Sequence, residues 1–181
     1  MNEDAKWVID TSTYTHLARA GHTYIIEELA PNGIVLVPMA VSIEIEKGRA
    51  SFPVIPTVGS ATWARLTKLD EEERWTELLV KAKLGGPPDR HLGEAAAIAC
   101  ARHRDLVVIL DDRAAIEASK ALGVPYHDTL WLVIEAYTKL FDRDKDKAAA
   151  VIDDLVETDM YLPIDSGESL LVWAYENGLL P

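Results

Sequence analysis

Short, continuously apolar runs alternate with helix-like stretches along most of the chain. The clearest runs cover residues 7–9, 34–37 and 106–110. They are too short for helices and lack polar alternation, which is typical of parallel strands buried on both faces. A weaker strand signal lies near residues 63–69. This alternation of strand and helix predicts an α/β fold, a three-layer α/β/α sandwich around a short, mostly parallel sheet.

Helical periodicity and turn residues define the helices between and after these strands. We expect helices over residues 11–20, 23–30, 38–48, 71–83, 91–104, 113–122, 129–140, 145–157 and 166–177. In the fourth of these, Trp75, Leu78 and Leu79 are predicted to form one apolar side. No internal boundary is visible, so residues 1–181 are expected to form one domain, with a core over about 6–135 and a helical C-terminal extension over about 140–181.

Composition favours a globular protein of the reducing cytoplasm. Hydrophobic residues make up 49% of the 181 residues and charged residues 27%, which argues against disorder. No apolar run approaches the roughly 20 residues that span a bilayer, and the acidic start Met1-Asn2-Glu3-Asp4 does not resemble a secretory signal. The single cysteine, Cys100, cannot form an intramolecular disulfide and lies in an alanine-rich stretch, as a core residue would.

Acidic residues recur where the predicted strands end or the following helices begin. The set is Asp10, Glu44, Glu94, Asp111 and Asp112. Each of them could simply cap a helix or complement its dipole. The carboxyl ends of parallel strands, however, share one edge of the sheet, where open α/β folds place their sites. Carboxylates gathered there would repel one another unless a hard cation lies between them, so a Mg²⁺ or Mn²⁺ site is the first hypothesis.

Neighbouring residues compete for some of these roles. Residues two apart on a helix point in different directions, so only one of Glu44 and Glu46 can face the site, and the motif spacing favours Glu44. Asp89 is an alternative to Glu94. Ser12 and Thr13 could cap the first helix or hydrogen-bond the metal shell, and capping is the favoured interpretation.

The histidines and the small basic stretch carry weaker signals. The histidine spacing does not fit a zinc site. His91 lies near Glu94 and is a candidate substrate contact. The stretch Arg102-His103-Arg104 is interpreted as a solvated helix end, where positive charge suits the dipole.

Four segments together resemble a known family. They are residues 8–12 (VIDTS), 37–45 (VPMAVSIEI), 92–99 (LGEAAAIA) and 110–115 (LDDRAA). In order and spacing they resemble the motifs of PIN-domain ribonucleases over about residues 6–135. The Gly-Glu-Ala helix start and the Leu-Asp-Asp-Arg strand end are most similar to a prokaryotic PIN-like branch related to VapC-type toxins.

The resemblance implies a metal-dependent endoribonuclease that cleaves single-stranded RNA and leaves a 5′-phosphate and a 3′-hydroxyl. It implies Asp10, Glu44, Glu94 and Asp112 as the catalytic acids, with Asp111 as a further metal ligand. A toxin of a toxin–antitoxin pair, with a basic antitoxin-like partner, is the more specific expectation. The chain departs from the common pattern at Glu94, where Asp is usual, and at Leu110, where Thr is usual. The fourth acid is therefore open between Asp111 and Asp112, and counting from the usual Thr favours Asp112.

Charge and exposed apolar residues bear on partners. A net charge of −12 lowers the expectation of nucleic-acid binding and suits a basic protein partner. The apolar residues of 129–140 and 170–173 predict an exposed patch and a homodimer. Two rival functions remain: a catalytically silent PIN-like interaction module, and another Mg²⁺-dependent phosphoryl hydrolase. The haloacid-dehalogenase-like phosphatases require a second Asp two residues after the first, where this chain has Ser12.

Overall fold

The computed structural model describes residues 6–181, so the acidic start of the chain lies outside the described residues. Five strands are present: β1 Trp7–Ile9, β2 Val35–Pro38, β3 Ala64–Thr67, β4 Val107–Ile109 and β5 Tyr126–His127. Nine α-helices are described: α1 Thr11–Arg19, α2 Tyr24–Leu29, α3 Met39–Arg49, α4 Glu71–Leu84, α5 Leu92–Arg104, α6 Arg113–Ala121, α7 Thr129–Lys139, α8 Lys145–Glu157 and α9 Leu170–Glu176. Three single 3₁₀ turns cover Pro31–Gly33, Val58–Ser60 and Gly167–Ser169.

The five strands form one parallel sheet in the order β3-β2-β1-β4-β5. In the central strand, Val8 pairs with Leu36 on one side and with Val108 on the other. The chain moves outward from β1 to β2 and β3, then returns to the other side of β1 for β4. This reversal lies beside the carboxyl end of β1, which is where open α/β sheets form a crevice.

Successive residues of the strands point into two separate cores. Trp7 and Ile9 pack with residues of α1, α2, α7 and α8 on one face. Val8, on the other face, packs with α5 and α6. The alanines of α5 are buried along nearly the whole helix, and their small side chains let the helix lie close to the sheet. The predicted three-layer α/β/α sandwich is confirmed.

One expectation about the surface was wrong. Helix α7 is largely buried, since it closes one face of the sheet, so it does not supply an exposed patch. The predicted apolar side of α4 is exposed instead: Trp75 is 63% and Leu79 is 70% exposed. Strand β5 was not predicted at all, because two residues are too few for periodicity to reveal.

Two smaller points concern the membrane and the thiol. Among residues 6–181, no helix combines the length and the apolar character needed to cross a bilayer.

Cys100 is buried as expected. Burial raises the pKa of its thiol to about 12, which makes it a packing residue and not a nucleophile.

Candidate functional site

Asp10 and Asp111 meet at the carboxyl edge of the sheet, where β1 and β4 end side by side. The Asp10 N–H donates to the Ile109 carbonyl at 3.0 Å, which continues the ladder between the two strands. The Asp10 carboxylate caps α1, because its Oδ1 accepts from the Thr13 N–H at 2.8 Å. The Thr13 hydroxyl then donates to Asp111 Oδ2 at 2.9 Å. Thr13 therefore links the two acids.

The first of these carboxylates is held where ionisation is unfavourable. Burial raises the pKa of Asp10 well above its usual value, and the negative charges of Asp111 and Glu94 raise it further. Hydrogen bonding by Thr13 lowers this pKa only in part. A carboxyl group in this setting gains from any positive charge placed beside it.

Asp111 is surrounded by hydrogen-bond donors. Thr129 donates twice, from its N–H to Oδ1 at 2.9 Å and from its hydroxyl to Oδ2 at 2.7 Å. Burial raises the pKa of Asp111, these hydrogen bonds lower it, and the charge of Asp128 raises it again. The arrangement fixes the orientation of the carboxylate at the end of β4.

Glu44 lies between the neighbours of two other acids. Its Oε1 accepts from the Gly93 N–H at 3.0 Å, and its Oε2 accepts from the Thr11 hydroxyl. Gly93 precedes Glu94, and Thr11 follows Asp10, so Glu44 joins the start of α5 to the start of α1. A methyl group at position 93 would collide with Glu44 Oε2 and would lie 2.8 Å from Thr11 Oγ1. Only glycine lets the Glu44 carboxylate approach so closely.

Glu94 lies in the first turn of α5, and its charge acts on Asp10. Its Oε1 is 3.2 Å from His91 Nδ1. His91 precedes the helix in a left-handed conformation, with φ of 60°. His91 therefore contacts an acid of the cluster, while the alternative ligand Asp89 is exposed.

The structure separates the two adjacent acids at the end of β4. Asp112 caps α6, since its Oδ1 accepts from the Ala115 N–H at 2.9 Å. Asp111, and not Asp112, is the residue whose charge acts on Asp10. The Glu46 side chain, as expected, faces solvent and pairs with Arg49 Nη1 at 2.8 Å.

Two residues beside these acids were not predicted, and Thr13 has the less favoured of its two expected roles. Thr13 was expected to cap α1, but Asp10 is the cap and Thr13 binds Asp111. Thr129 and Asp128 follow strand β5. Because β5 was not predicted, the sequence did not place these two residues at a strand end beside the acids. The one available signal was Asp128 directly before an apolar helix, where it accepts from the Trp131 N–H at 2.7 Å.

The cluster thus consists of acids contributed by β1, α3, α5 and β4 around one end of the sheet. The sequence matches the family described as PIN domain over residues 6–176, which is most of the chain. The chain belongs to the PIN-domain family. PIN domains are generally nucleases that act on phosphodiester bonds with divalent metal ions, and this membership gives the chain a nuclease-type fold. No curated protein matches the sequence significantly.

The donor chemistry of this PIN domain fits a hard cation. Carboxylate oxygens are the preferred ligands of Mg²⁺ and Mn²⁺, and the pKa of Asp10 is raised by burial and then by the negative charges of Asp111 and Glu94. Within residues 6–181, no three acidic, histidine or cysteine side chains stand together in a metal-binding arrangement as they are placed. Several of the carboxylate oxygens are instead engaged by threonine hydroxyls and backbone N–H groups.

Proposed function

We propose that this PIN domain is a metal-dependent endoribonuclease that cleaves single-stranded RNA. One observation carries the proposal: Asp10 is buried at the carboxyl end of the central strand, and the charges that raise its pKa belong to two further acids of the motif set. Ionising a buried carboxyl group next to other negative charges is unfavourable in free energy, and a bound cation would remove much of that penalty. The family match supports the nuclease class.

We propose Asp10, Glu44, Glu94 and Asp111 as the residues that hold Mg²⁺ or Mn²⁺. A divalent cation bound there would activate water and offset the negative charge that develops on the phosphodiester. The protein's own part is to hold the carboxylates in place: Thr13 and Thr129 orient Asp111, and Thr11 and Gly93 orient Glu44. Glu94 would turn from His91 toward Asp10, which leaves the His91 ring beside the substrate.

The fourth acid is the point at which motif alignment and geometry differ. Alignment favours Asp112, whereas geometry favours Asp111, whose charge acts on Asp10. We propose Asp111 as the ligand nearest Asp10 and Asp112 as the cap of α6, with its second oxygen as a further donor. Asp111→Asn should then reduce cleavage more than Asp112→Asn, since Asn preserves a helix cap.

The decisive experiment compares two glutamates on one helix. Glu44→Gln and Glu46→Gln remove the same charge from α3, but only Glu44 contacts the starts of α1 and α5. With single-stranded RNA and Mn²⁺, Glu44→Gln should lose activity by orders of magnitude and Glu46→Gln should match the wild type. Equal activity of the two variants would remove Glu44 from the site and refute the proposal as drawn.

Metal binding itself has an independent readout. Mn²⁺ should raise the melting temperature of the wild type, because the cation binds the folded state preferentially. It should raise that of Asp10→Asn much less. If calorimetry finds no divalent binding at millimolar metal, the site is wrong regardless of any activity.

Two finer expectations about partners remain proposals. We propose a homodimer formed through the exposed side of α4, where Trp75, Leu78 and Leu79 form an apolar surface on a charged helix. Leu79→Lys should shift light scattering from dimer to monomer. A toxin role with a basic antitoxin-like partner is consistent with the net charge of −12.

A catalytically silent interaction module is the second candidate. The hydrogen-bonded carboxylates and the exposed apolar side of α4 favour it. Metal-dependent cleavage of single-stranded RNA would exclude it. The PIN-family match already separates the chain from haloacid-dehalogenase-like phosphatases.

A further inference from the structure

A second concave site lies beside the carboxylate cluster, at the outer edge of the sheet. It is a pocket of about 230 Å³ between β5, α7 and α9, and its lining includes Tyr126, His127, Asp128, Trp131, Trp173 and Asn177. Two helices of different regions build it: α7 closes the core of the domain, and α9 belongs to the C-terminal extension. None of the motifs that identify the family falls in this pocket.

The inner wall of the pocket is a rigid aromatic platform. The rings of His127 and Trp131 stack face to face, with centroids 3.5 Å apart and planes 6° apart. Trp7 packs its ring against Trp131 at 74°, with centroids 5.8 Å apart. Both members of the stack are only partly buried. Aromatic surfaces held in place in this way are the platforms on which unpaired bases stack.

The C-terminal part of the chain adds another ring and an amide to the lining. Trp173 lines the pocket from α9, and Asn177 is the C-cap residue of that helix. The Asn177 amide is oriented, because its Nδ2 donates to the Trp173 carbonyl at 2.8 Å. An amide at the rim of an aromatic pocket can hydrogen-bond the edge of a base. An apolar side chain would use the rings but would leave these polar groups unmatched.

The pocket and the carboxylate cluster are adjacent. Asp128 lines the pocket, and its charge acts on Asp111. The next residue, Thr129, hydrogen-bonds Asp111. Lys120 Nζ, which is paired with Glu117 at 2.9 Å, lies 5.6 Å from the ring centroid of Tyr126, a residue of the pocket lining. The pocket therefore lies within reach of a strand whose phosphate is at the acids.

We propose that this pocket binds one unpaired nucleobase of the RNA strand, next to the phosphodiester at the carboxylates, by stacking against the His127–Trp131 pair and Trp173 and by hydrogen bonding to Asn177. The proposal rests on the proposed nuclease function for its ligand. It assigns the C-terminal helix α9 a role in substrate selection: the enzyme requires a single-stranded segment, because a paired base cannot leave its stack to enter the pocket without a free-energy cost.

The test measures binding apart from cleavage. A short fluorescein-labelled oligouridylate is titrated with protein in EDTA, and anisotropy gives Kd for the wild type, Trp173→Ala, Asn177→Ala and Tyr175→Ala. Tyr175 is the matched control, since it is an exposed aromatic residue on α9 that does not line the pocket. Trp173→Ala should bind the oligouridylate roughly tenfold more weakly than the wild type, because it loses one stacking contact with a base. Asn177→Ala should weaken it less, and Tyr175→Ala should bind as the wild type does.

A second probe guards against a variant that fails to fold. In the wild type, an oligonucleotide lacking one base should bind more weakly when the gap falls at the position that enters the pocket. This penalty should be smaller in Asn177→Ala and smallest in Trp173→Ala, which removes a stacking ring. Equal Kd values for the wild type, Trp173→Ala and Asn177→Ala, or no position at which a missing base weakens binding, would overturn the proposal. If the wild type shows the expected pattern in EDTA but does not cleave RNA with Mn²⁺, the nuclease assignment fails while the base pocket stands.

Discussion

Two carboxylates in this molecule are equally withdrawn from water, and their surroundings are opposite. Asp10 and Glu73 are each 1% exposed. Glu73 accepts two hydrogen bonds from the Arg104 guanidinium, from Nε to Oε1 at 2.5 Å and from Nη2 to Oε2 at 2.8 Å. It also completes a capping box with Asp70 at the start of α4. Asp10 faces Asp111 and Glu94 instead.

The difference lies in how the chain offsets the charge of each buried acid. Burial alone costs both residues the same hydration. At Glu73 the cost is offset inside the chain, and the ion pair joins α4 to the end of α5, while Arg104 also donates to Thr67 Oγ1 at 2.7 Å. At Asp10 the chain adds further negative charge, and only the hydrogen bonds from Thr13 act in the opposite direction. The comparison yields four predictions.

The largest expected effect is on cleavage. Asp10→Asn keeps the cap of α1 but removes the central charge of the cluster, so RNA cleavage with Mn²⁺ should fall about a thousandfold, equivalent to about 4 kcal/mol of transition-state stabilisation. Glu73→Gln, the matched change at the other buried acid, should retain activity per folded molecule. A large loss in Glu73→Gln without unfolding would erase the distinction between the two acids.

The second largest effect is on stability, and it concerns the ion pair between Glu73 and Arg104. Arg104→Met leaves Glu73 buried without its cation, which should destabilise the fold by about 3 kcal/mol in urea unfolding. The double variant Arg104→Met, Glu73→Gln should recover most of the loss, because the unpaired charge is gone. If the double variant is as unstable as the single one, the packing of Arg104 and not the ion pair stabilises this junction.

A smaller effect tests how closely Glu44 is held. Gly93→Ala puts a methyl group against the Glu44 carboxylate, and the displaced acid should lower cleavage about tenfold, equivalent to about 1.4 kcal/mol. The helix itself should not suffer, since Ala is a better helix former than Gly. Circular dichroism checks that the helix is intact, and a kinetic assay measures the loss of cleavage. Gly48→Ala, whose added methyl would only touch the Ile55 side chain at 4.0 Å, is the control and should retain activity.

The smallest effect concerns pH and stability without metal. The pKa of Asp10 is raised in the folded state, so the folded protein binds this proton more tightly than the unfolded chain. Stability therefore falls as the pH rises from the unfolded pKa through the raised one, and stays lower above it. Asp10→Asn removes the unfavourable charge of the buried carboxylate, which should stabilise the fold by about 1 kcal/mol. At neutral pH in EDTA the variant should therefore melt roughly 2–4 °C above the wild type. This difference in melting temperature should disappear at acidic pH, where Asp10 of the wild type is protonated. A lower melting temperature for Asp10→Asn than for the wild type at neutral pH would contradict the prediction.

Much of the fold follows from local pattern. The apolar runs at β1, β2 and β4 and the helix periodicity between them predicted the sandwich and nearly all of the helices within a residue or two. Strand β5 escaped because its two residues carry no period. Arg104 was interpreted as a solvated helix end, because the ion pair with Glu73 joins residues 31 positions apart.

The chain's sequence alone determined which acids stand at strand ends, because a strand end is a local feature that an apolar run marks. It did not determine which acids meet. That Asp111 and not Asp112 acts on Asp10, that Thr13 and Thr129 bind Asp111, and that α9 closes a pocket beside β5 were all decided by the tertiary structure. The physical reason is that charge interaction and hydrogen bonding depend on distance in space, and parallel strands bring together residues about a hundred positions apart.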